Sequence, residues 1–197
     1  MHLMSSCSKF LSTVYKARHD NAFKCLVFPL LKELELIEKD KVWYASNQVK
    51  PYYENDSKTI RFWWDIPEYT GREDPKDKAS RPMRPDGKLE MIDENEHTLF
   101  LLEMSVPWIC NRTIKLKEKE NKYEHILVGY RLTHPTCKVE QLTFIMDVFG
   151  GYDNVLVKNI TTVIKNKRLV DNIIRDMQKS VISSCGYLSR AFKVKVM

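Results

Sequence analysis

The sequence has no apolar run approaching the roughly 18 residues that a membrane span requires, so a membrane-spanning helix is not expected. No signal peptide precedes its cysteines, and these five (Cys7, Cys25, Cys110, Cys137 and Cys185) are odd in number and widely spaced. Such a set does not form an evident disulfide framework, and reduced thiols inside a cell are the simpler expectation. There is no internal repeat and no low-complexity segment. What is present is a chain of 197 residues, 43% hydrophobic and 11% aromatic. That is enough apolar material for a core, and it argues against global disorder. The length suggests one domain, or one domain with an appendage. The net charge of +6 is a mild basic excess. It fits a polyanionic partner without establishing one.

Residues 8–38 read as helix. Phe10, Leu11 and Val14, then Phe23, Leu26, Val27, Leu30 and Leu34, recur at spacings of three and four. Pro29 is expected to kink or split it, and Asp20 or Asn21 to cap a second helix. Arg18 and His19 lie in its polar part, where they can contact phosphate or simply face solvent. Residues 42–69 are aromatic-rich, and Lys58–Pro67 has strand character, with a turn at Asn55-Asp56-Ser57. Trp63 and Trp64 can stack on bases there, although strand aromatics are usually core. Residues 70–84 are rich in Gly, Pro, Asp and Lys and read as a loop.

The stretch from Arg84 to Tyr123 holds the chemistry. Arg84-Pro85-Asp86-Gly87 leads into a hairpin, with Leu89 and Met91 alternating, a turn at Asp93–Glu96 and a second strand over Thr98–Val106. The nearly continuous apolar run Leu99–Leu102 suggests a strand buried on both faces. Glu103 near its end is costly unless paired, bound to a metal, or exposed at the strand end. Residues 111–128 read as a charged helix in which Ile114, Tyr123, Ile126 and Leu127 can face the core. Lys119, Lys122 and Tyr123 share one face of it. Two carboxylates, Asp86 and Glu103, and a lysine on a separate element are what a metal-dependent phosphodiester cutter needs. Hard divalent cations take oxygen ligands, and a lysine supports charge developing on phosphate. Val139–Val148 reads as a third strand, and strand, helix, strand implies a parallel crossover. Residues 153–166 and 169–184 read as two helices. Lys158 to Lys179 contains six Lys/Arg and two Asp/Glu, a candidate phosphate-facing surface or a solvated face.

In order and spacing these segments resemble one family. They are His2 to Cys7, Tyr15-x-x-Arg18-His19-Asp20, Trp43-Tyr44, Trp64-Asp65-Ile66-Pro67, Arg84-Pro85-Asp86, Glu103-x-x-x-Pro107 and Glu118-Lys119-x-x-Lys122-Tyr123. Together they resemble the C-terminal end of the polyprotein of non-LTR retrotransposons that carry a restriction-like endonuclease. The resemblance implies an α/β fold of the PD-(D/E)xK type, a mixed sheet flanked by helices. It implies a zinc-knuckle remnant over 1–7 and one endonuclease domain over 8–197. Asp86 and Glu103 would be metal ligands for Mg²⁺ or Mn²⁺, and Lys119 or Lys122 the catalytic lysine, with Tyr123 beside it. The more usual position for that lysine, two residues after the second acid, is Ser105. Arg18, His19 and Arg84 would meet nucleic acid. Zinc is not expected, since only His2 and Cys7 of a four-ligand knuckle are present. The implied activity is nicking of DNA in a nuclear setting, with no membrane partner and no small-molecule organic cofactor. The implied chain is a fragment of a longer polyprotein or a decayed copy. Two further readings stay open: a catalytically inactive nucleic-acid-binding relic, and a protein-interaction domain built on Trp43, Trp63 and Trp64.

Overall fold

The computed structural model describes residues 11–42, 44, 49–69 and 82–196, with backbone alone at 11–12, 188–189 and 191–196. The sequence expectations for His2, Cys7, Trp43 and the loop over 70–81 lie outside the described residues. The chain is mixed α/β. Helix α1 is Lys16–Glu33, and it follows a single wide turn over Leu11–Tyr15. Strands β1 (Tyr52–Glu54), β2 (Ile60–Trp64), β3 (Gly87–Ile92) and β4 (His97–Ser105) come next. Helix α2 (Arg112–Thr133), strand β5 (Cys137–Ile145), and helices α3 (Asn154–Val163) and α4 (Lys167–Val196) complete it.

The five strands form one sheet in the order β1-β2-β3-β4-β5. The first four make an antiparallel meander. Strand β5 is reached through α2, and beyond β4 the amides of Met146 and Val148 bond the carbonyls of Ser105 and Pro107 at 3.2 and 3.0 Å. Both partners advance together, as parallel neighbours do, so the sheet is mixed. Chain contacts divide the molecule into two compact units, one comprising Met1–Ala45, Met104–Leu116 and Phe144–Met197, the other Ser46–Glu103 and Lys117–Thr143.

In the second unit, turn chemistry sets the register. The Asn55 side chain accepts from the amides of Thr59 and Ile60, each at 2.9 Å, which closes the β1–β2 connection. Asp93 does the same for Asn95 and Glu96 at the β3–β4 turn. These are the local bonds that Asn and Asp offer in preference to a ladder. Strand β4 is buried from Thr98 to Met104, as an apolar strand without alternation should be. Leu99 and Leu101 of β4 pack with Cys137 and Val139 of β5 and with Tyr123, Ile126 and Leu127 of α2. Each fully buried side chain of this size contributes about 1.5–3 kcal/mol. Ile114 is not part of that core and is 57% exposed. It precedes Tyr123 by nine residues, about two and a half turns, so it points to the opposite side of the helix.

In the first unit, α1 packs against α4, and α3 also packs against α4. Helix α1 runs without interruption through Asp20 and Asn21, so neither caps a second helix. Pro29 sits inside α1, and the helix continues to Glu33. Packing of nine buried residues on α1 overrides that local preference. At its C-terminus the amides of Leu36 and Glu35 bond the carbonyls of Leu31 and Lys32, with Glu35 at φ 56°. This is a Schellman closure with glutamate where glycine is usual. Asp153 caps α3, accepting from the amides of Val155 and Leu156. Among the described residues no helix is long and apolar enough to cross a membrane.

Candidate active site

Asp86 ends the segment leading into β3, Glu103 lies near the end of β4, and Lys119, Lys122 and Tyr123 lie on α2. All five belong to the second unit. The β3–β4 register pairs Gly87 with Leu102, which sets Asp86 beside Glu103 one step further along. The Asp86 amide donates to Glu103 Oε2 at 3.3 Å. Lys119 Nζ donates to Glu103 Oε1, and Lys122 Nζ lies 3.9 Å from the same oxygen. Lys122 also donates to the Tyr123 hydroxyl at 2.6 Å and lies over that ring, 4.5 Å from its centroid. The hydroxyl in turn donates to the Arg84 carbonyl at 2.8 Å. The Asp86 backbone amide and the ammonium groups of Lys119 and Lys122 therefore meet around one carboxylate, that of Glu103.

Glu103 is 1% exposed. A buried carboxylate is tolerated when it is paired and hydrogen-bonded, and here both oxygens are engaged. Burial, and next the Asp86 charge, push the Glu103 carboxyl up, against the pull of Lys119 and Lys122. Burial pulls the Lys122 ammonium down, opposed by Glu103. Burial and then the Glu103 charge hold the Tyr123 phenol well above its ordinary value, so it stays protonated.

Asp65 is a residue whose place here sequence reasoning missed. Its amide donates to the Asp86 carbonyl at 3.0 Å. Arg84 grips it twice, through Nε to Oδ1 at 3.0 Å and through NH2 to the backbone oxygen. Its φ of 47° is a conformation that aspartate tolerates better than most residues. The signal was the Trp64-Asp65-Ile66-Pro67 segment, an acid just past a strand end. Gln141 of β5 is a second such residue. It donates to the Lys119 carbonyl at 2.9 Å and to Thr143 Oγ1 at 3.0 Å, tying α2 to β5 at the turn that carries the lysine.

Of the proposed nucleic-acid contacts, Arg84 belongs to the second unit and Arg18 and His19 to the first. Arg84 is exposed and bound to Asp65. Arg18 is 3% exposed, which removes it as a surface phosphate ligand. Its guanidinium lies over the Tyr15 ring and donates to Cys185 Sγ at 3.8 Å, within the core of the first unit. Its position in the polar part of the α1 pattern did not reveal that α4 lies there. His19 is half-buried between Asp20 and the Met104 carbonyl, at 3.0 and 3.1 Å. Trp63 is half-buried, its ring tilted against that of Tyr52 with centroids 5.3 Å apart, and Lys88 Nζ lies 4.5 Å from its ring centroid.

Among the described residues no three His, Cys, Asp or Glu side chains cluster as a metal site. The Asp86–Glu103 pair nevertheless suits a hard divalent ion. Mg²⁺ is commonly held by only one or two carboxylates, with water and substrate phosphate filling its shell, and Asp86 and Glu103 are the residues that could hold it. No family model and no curated protein matches the chain.

Proposed function

We propose that the chain is a metal-dependent DNA endonuclease of the restriction-like PD-(D/E)xK type, of the kind found at the end of non-LTR retrotransposon polyproteins. One observation carries the reading: the segment leading into β3, the end of β4 and one face of α2 bring together the Asp86 amide, the Glu103 carboxylate and the Lys119 and Lys122 ammonium groups, with the Tyr123 hydroxyl against Lys122. Asp86 and Glu103 would hold Mg²⁺ or Mn²⁺, and such an ion supplies Lewis-acid stabilisation of the phosphate and a more acidic water. The two lysines differ in role. Lys119 is the counter-ion of Glu103. Lys122, more exposed and set between Glu103 and Tyr123, presents its ammonium to the phosphoryl oxygens as their charge grows. In the reaction a water oxygen bonds to phosphorus, the bond from phosphorus to the 3′ oxygen breaks, and that oxygen takes a proton. The products are a 5′ phosphate and a 3′ hydroxyl able to prime synthesis. The test is nicking of supercoiled plasmid with Mg²⁺ or Mn²⁺, wild type against Asp86→Ala. Metal-dependent nicking lost in the variant supports the reading, and nicking retained by the variant defeats it.

A second reading is a non-cutting nucleic-acid-binding relic of the same fold. It is favoured by the contact of Lys119 with Glu103 Oε1 while the Asp86 amide takes Oε2, an arrangement that holds the acid without any metal. Salt-sensitive DNA binding without nicking in either metal is its expected result.

A further inference from the structure

A second basic site lies in the first unit. A cavity of about 430 Å³ opens between the end of α1 and the start of α4. Lys32, Lys39 and Arg168 line it, with Asn166, Asn172 and one acid, Glu33. Beyond the lining, Glu38 pairs with Lys41, and on α4 Asp176 pairs with Lys179 while an exposed Asp171 stands between Arg168 and Arg175. No ion pair among the described residues involves Lys32, Lys39 or Arg168.

The backbone adds to this potential. Asn166 caps α4, its side chain accepting from the Leu169 amide at 3.2 Å and its carbonyl from Val170. The first amides of a 30-residue helix stand beside the cavity, where the helix dipole favours anions. The opposing α1 terminus is closed by its own Schellman bonds, which occupy the carbonyls of Leu30, Leu31 and Lys32. Cationic side chains continue from the cavity along α4. Arg168, Asn172, Arg175 and Lys179 are four, seven and eleven residues apart from the first, so they fall on one stripe about 16 Å long. The three cations of that stripe are exposed. A free phosphate needs a pocket alone, whereas a pocket that opens onto a cationic track suits a polymer of phosphates.

We propose that this cavity and the α4 stripe bind the phosphate backbone of duplex DNA, apart from the candidate nuclease site. The proposal deepens the endonuclease reading by adding an anchoring surface, and it takes only the identity of the polyanion from that reading.

The experiment measures binding of the full chain to a labelled DNA duplex across a salt series. The variants are Lys32→Ala/Lys39→Ala/Arg168→Ala, a charge-matched control, Lys50→Ala/Lys58→Ala/Lys138→Ala, and Asp86→Ala. Each phosphate contact contributes about 0.9 to the slope of log K against log salt. The triple cavity variant is expected to lower that slope by about 2 to 3, with its melting temperature unchanged because the residues lie at the surface. The control and Asp86→Ala are expected to keep it. An unchanged slope in the cavity variant overturns the proposal, as does an equal loss in the control, which would mean a diffuse field. Cavity-dependent capture of phosphatidylserine vesicles without DNA binding also overturns it and makes the surface a membrane contact. If the cavity variant loses slope while wild type never nicks plasmid, the anchoring surface stands and the endonuclease reading falls.

Discussion

The two compact units treat charge in opposite ways. In the second unit, cations and acids from different elements are drawn together. Glu103 holds Lys119. Lys88 donates to Glu68 at 2.6 Å, and Tyr130 donates to the other oxygen of the same carboxylate. Arg61 bridges Glu54 and Glu90, and His97 meets Glu90 at 2.9 Å. In the first unit the buried carboxylate, Asp147, is held by backbone. It accepts from the amides of Phe149 and Gly151, with Arg112 at 3.7 Å from its other oxygen. The six Lys/Arg residues from Lys158 to Lys179 instead face outward. A carboxylate held by amides two and four residues away fixes a turn. A carboxylate held by lysines of another element can change partners, which catalysis needs. Outward cations suit a polymer of phosphates. A net charge of +6 therefore conceals two arrangements of charge.

The largest effect expected is on activity. Asp86→Ala should lower plasmid nicking by at least about 10²-fold, the scale on which electrostatic stabilisation of a transition state is lost, and leave duplex binding intact. Nicking and binding lost together would erase the separation between the proposed nuclease site and the proposed anchoring surface. A thermal melt shows whether that loss is unfolding.

Next comes Lys119→Ala, which strands a buried carboxylate. Breaking a buried pair costs about 3–5 kcal/mol, and the lower end applies because the Lys119 side chain is 23% exposed. Urea unfolding at neutral pH measures it, and adding Glu103→Gln should restore most of the loss. The pH dependence has a definite sign. The Glu103 carboxyl is raised in the folded chain above 4.5, so the native state binds its proton more tightly than the unfolded state. Its stabilisation is complete below pH 4.5 and declines as pH rises through the folded value. Lys119→Ala should extend that decline to higher pH. A flat profile would mean that the pair does not set the charge of Glu103.

A smaller effect belongs to the first unit. Glu35 holds a left-handed conformation at the end of α1, so Glu35→Gly should stabilise by up to about 1 kcal/mol. Destabilisation would show that the Glu35 side chain has a role of its own near the basic cavity.

How much of this was legible in the sequence depends on the range of each interaction. The hairpins were readable because Asn55 and Asp93 act on amides two to five residues away. Glu103 was conspicuous because an acid in an apolar strand must have a reason, and the shared face of Lys119, Lys122 and Tyr123 follows from helical spacing alone. Arg18 was misread for the opposite cause. Its burial depends on Cys185, 167 residues away, and no local pattern reports that. Asp65 and Gln141 were missed because the carbonyls they bond, those of Asp86 and Lys119, lie about 20 residues away on other elements. The division into two units does not coincide with any break in composition, since its boundaries fall inside β4, α2 and β5.

The smallest predicted effect sharpens the contrast most. Lys179 and Asp176 form an ion pair at 3.5 Å with side chains 69% and 49% exposed. By distance alone this resembles the Lys122–Glu103 contact at 3.9 Å. Exposed pairs are worth about 0–1 kcal/mol, because water screens them and holding two long side chains has an entropic cost. Lys179→Ala should therefore change unfolding stability by less than about 0.5 kcal/mol, while lowering the salt slope of DNA binding by about 0.9. Lys122→Ala should weigh the other way, disturbing the buried carboxylate and lowering nicking far more than binding. A crossed pattern of this kind separates charge held for chemistry from charge held for contact. If both variants moved both observables alike, the two units would not be divided in function.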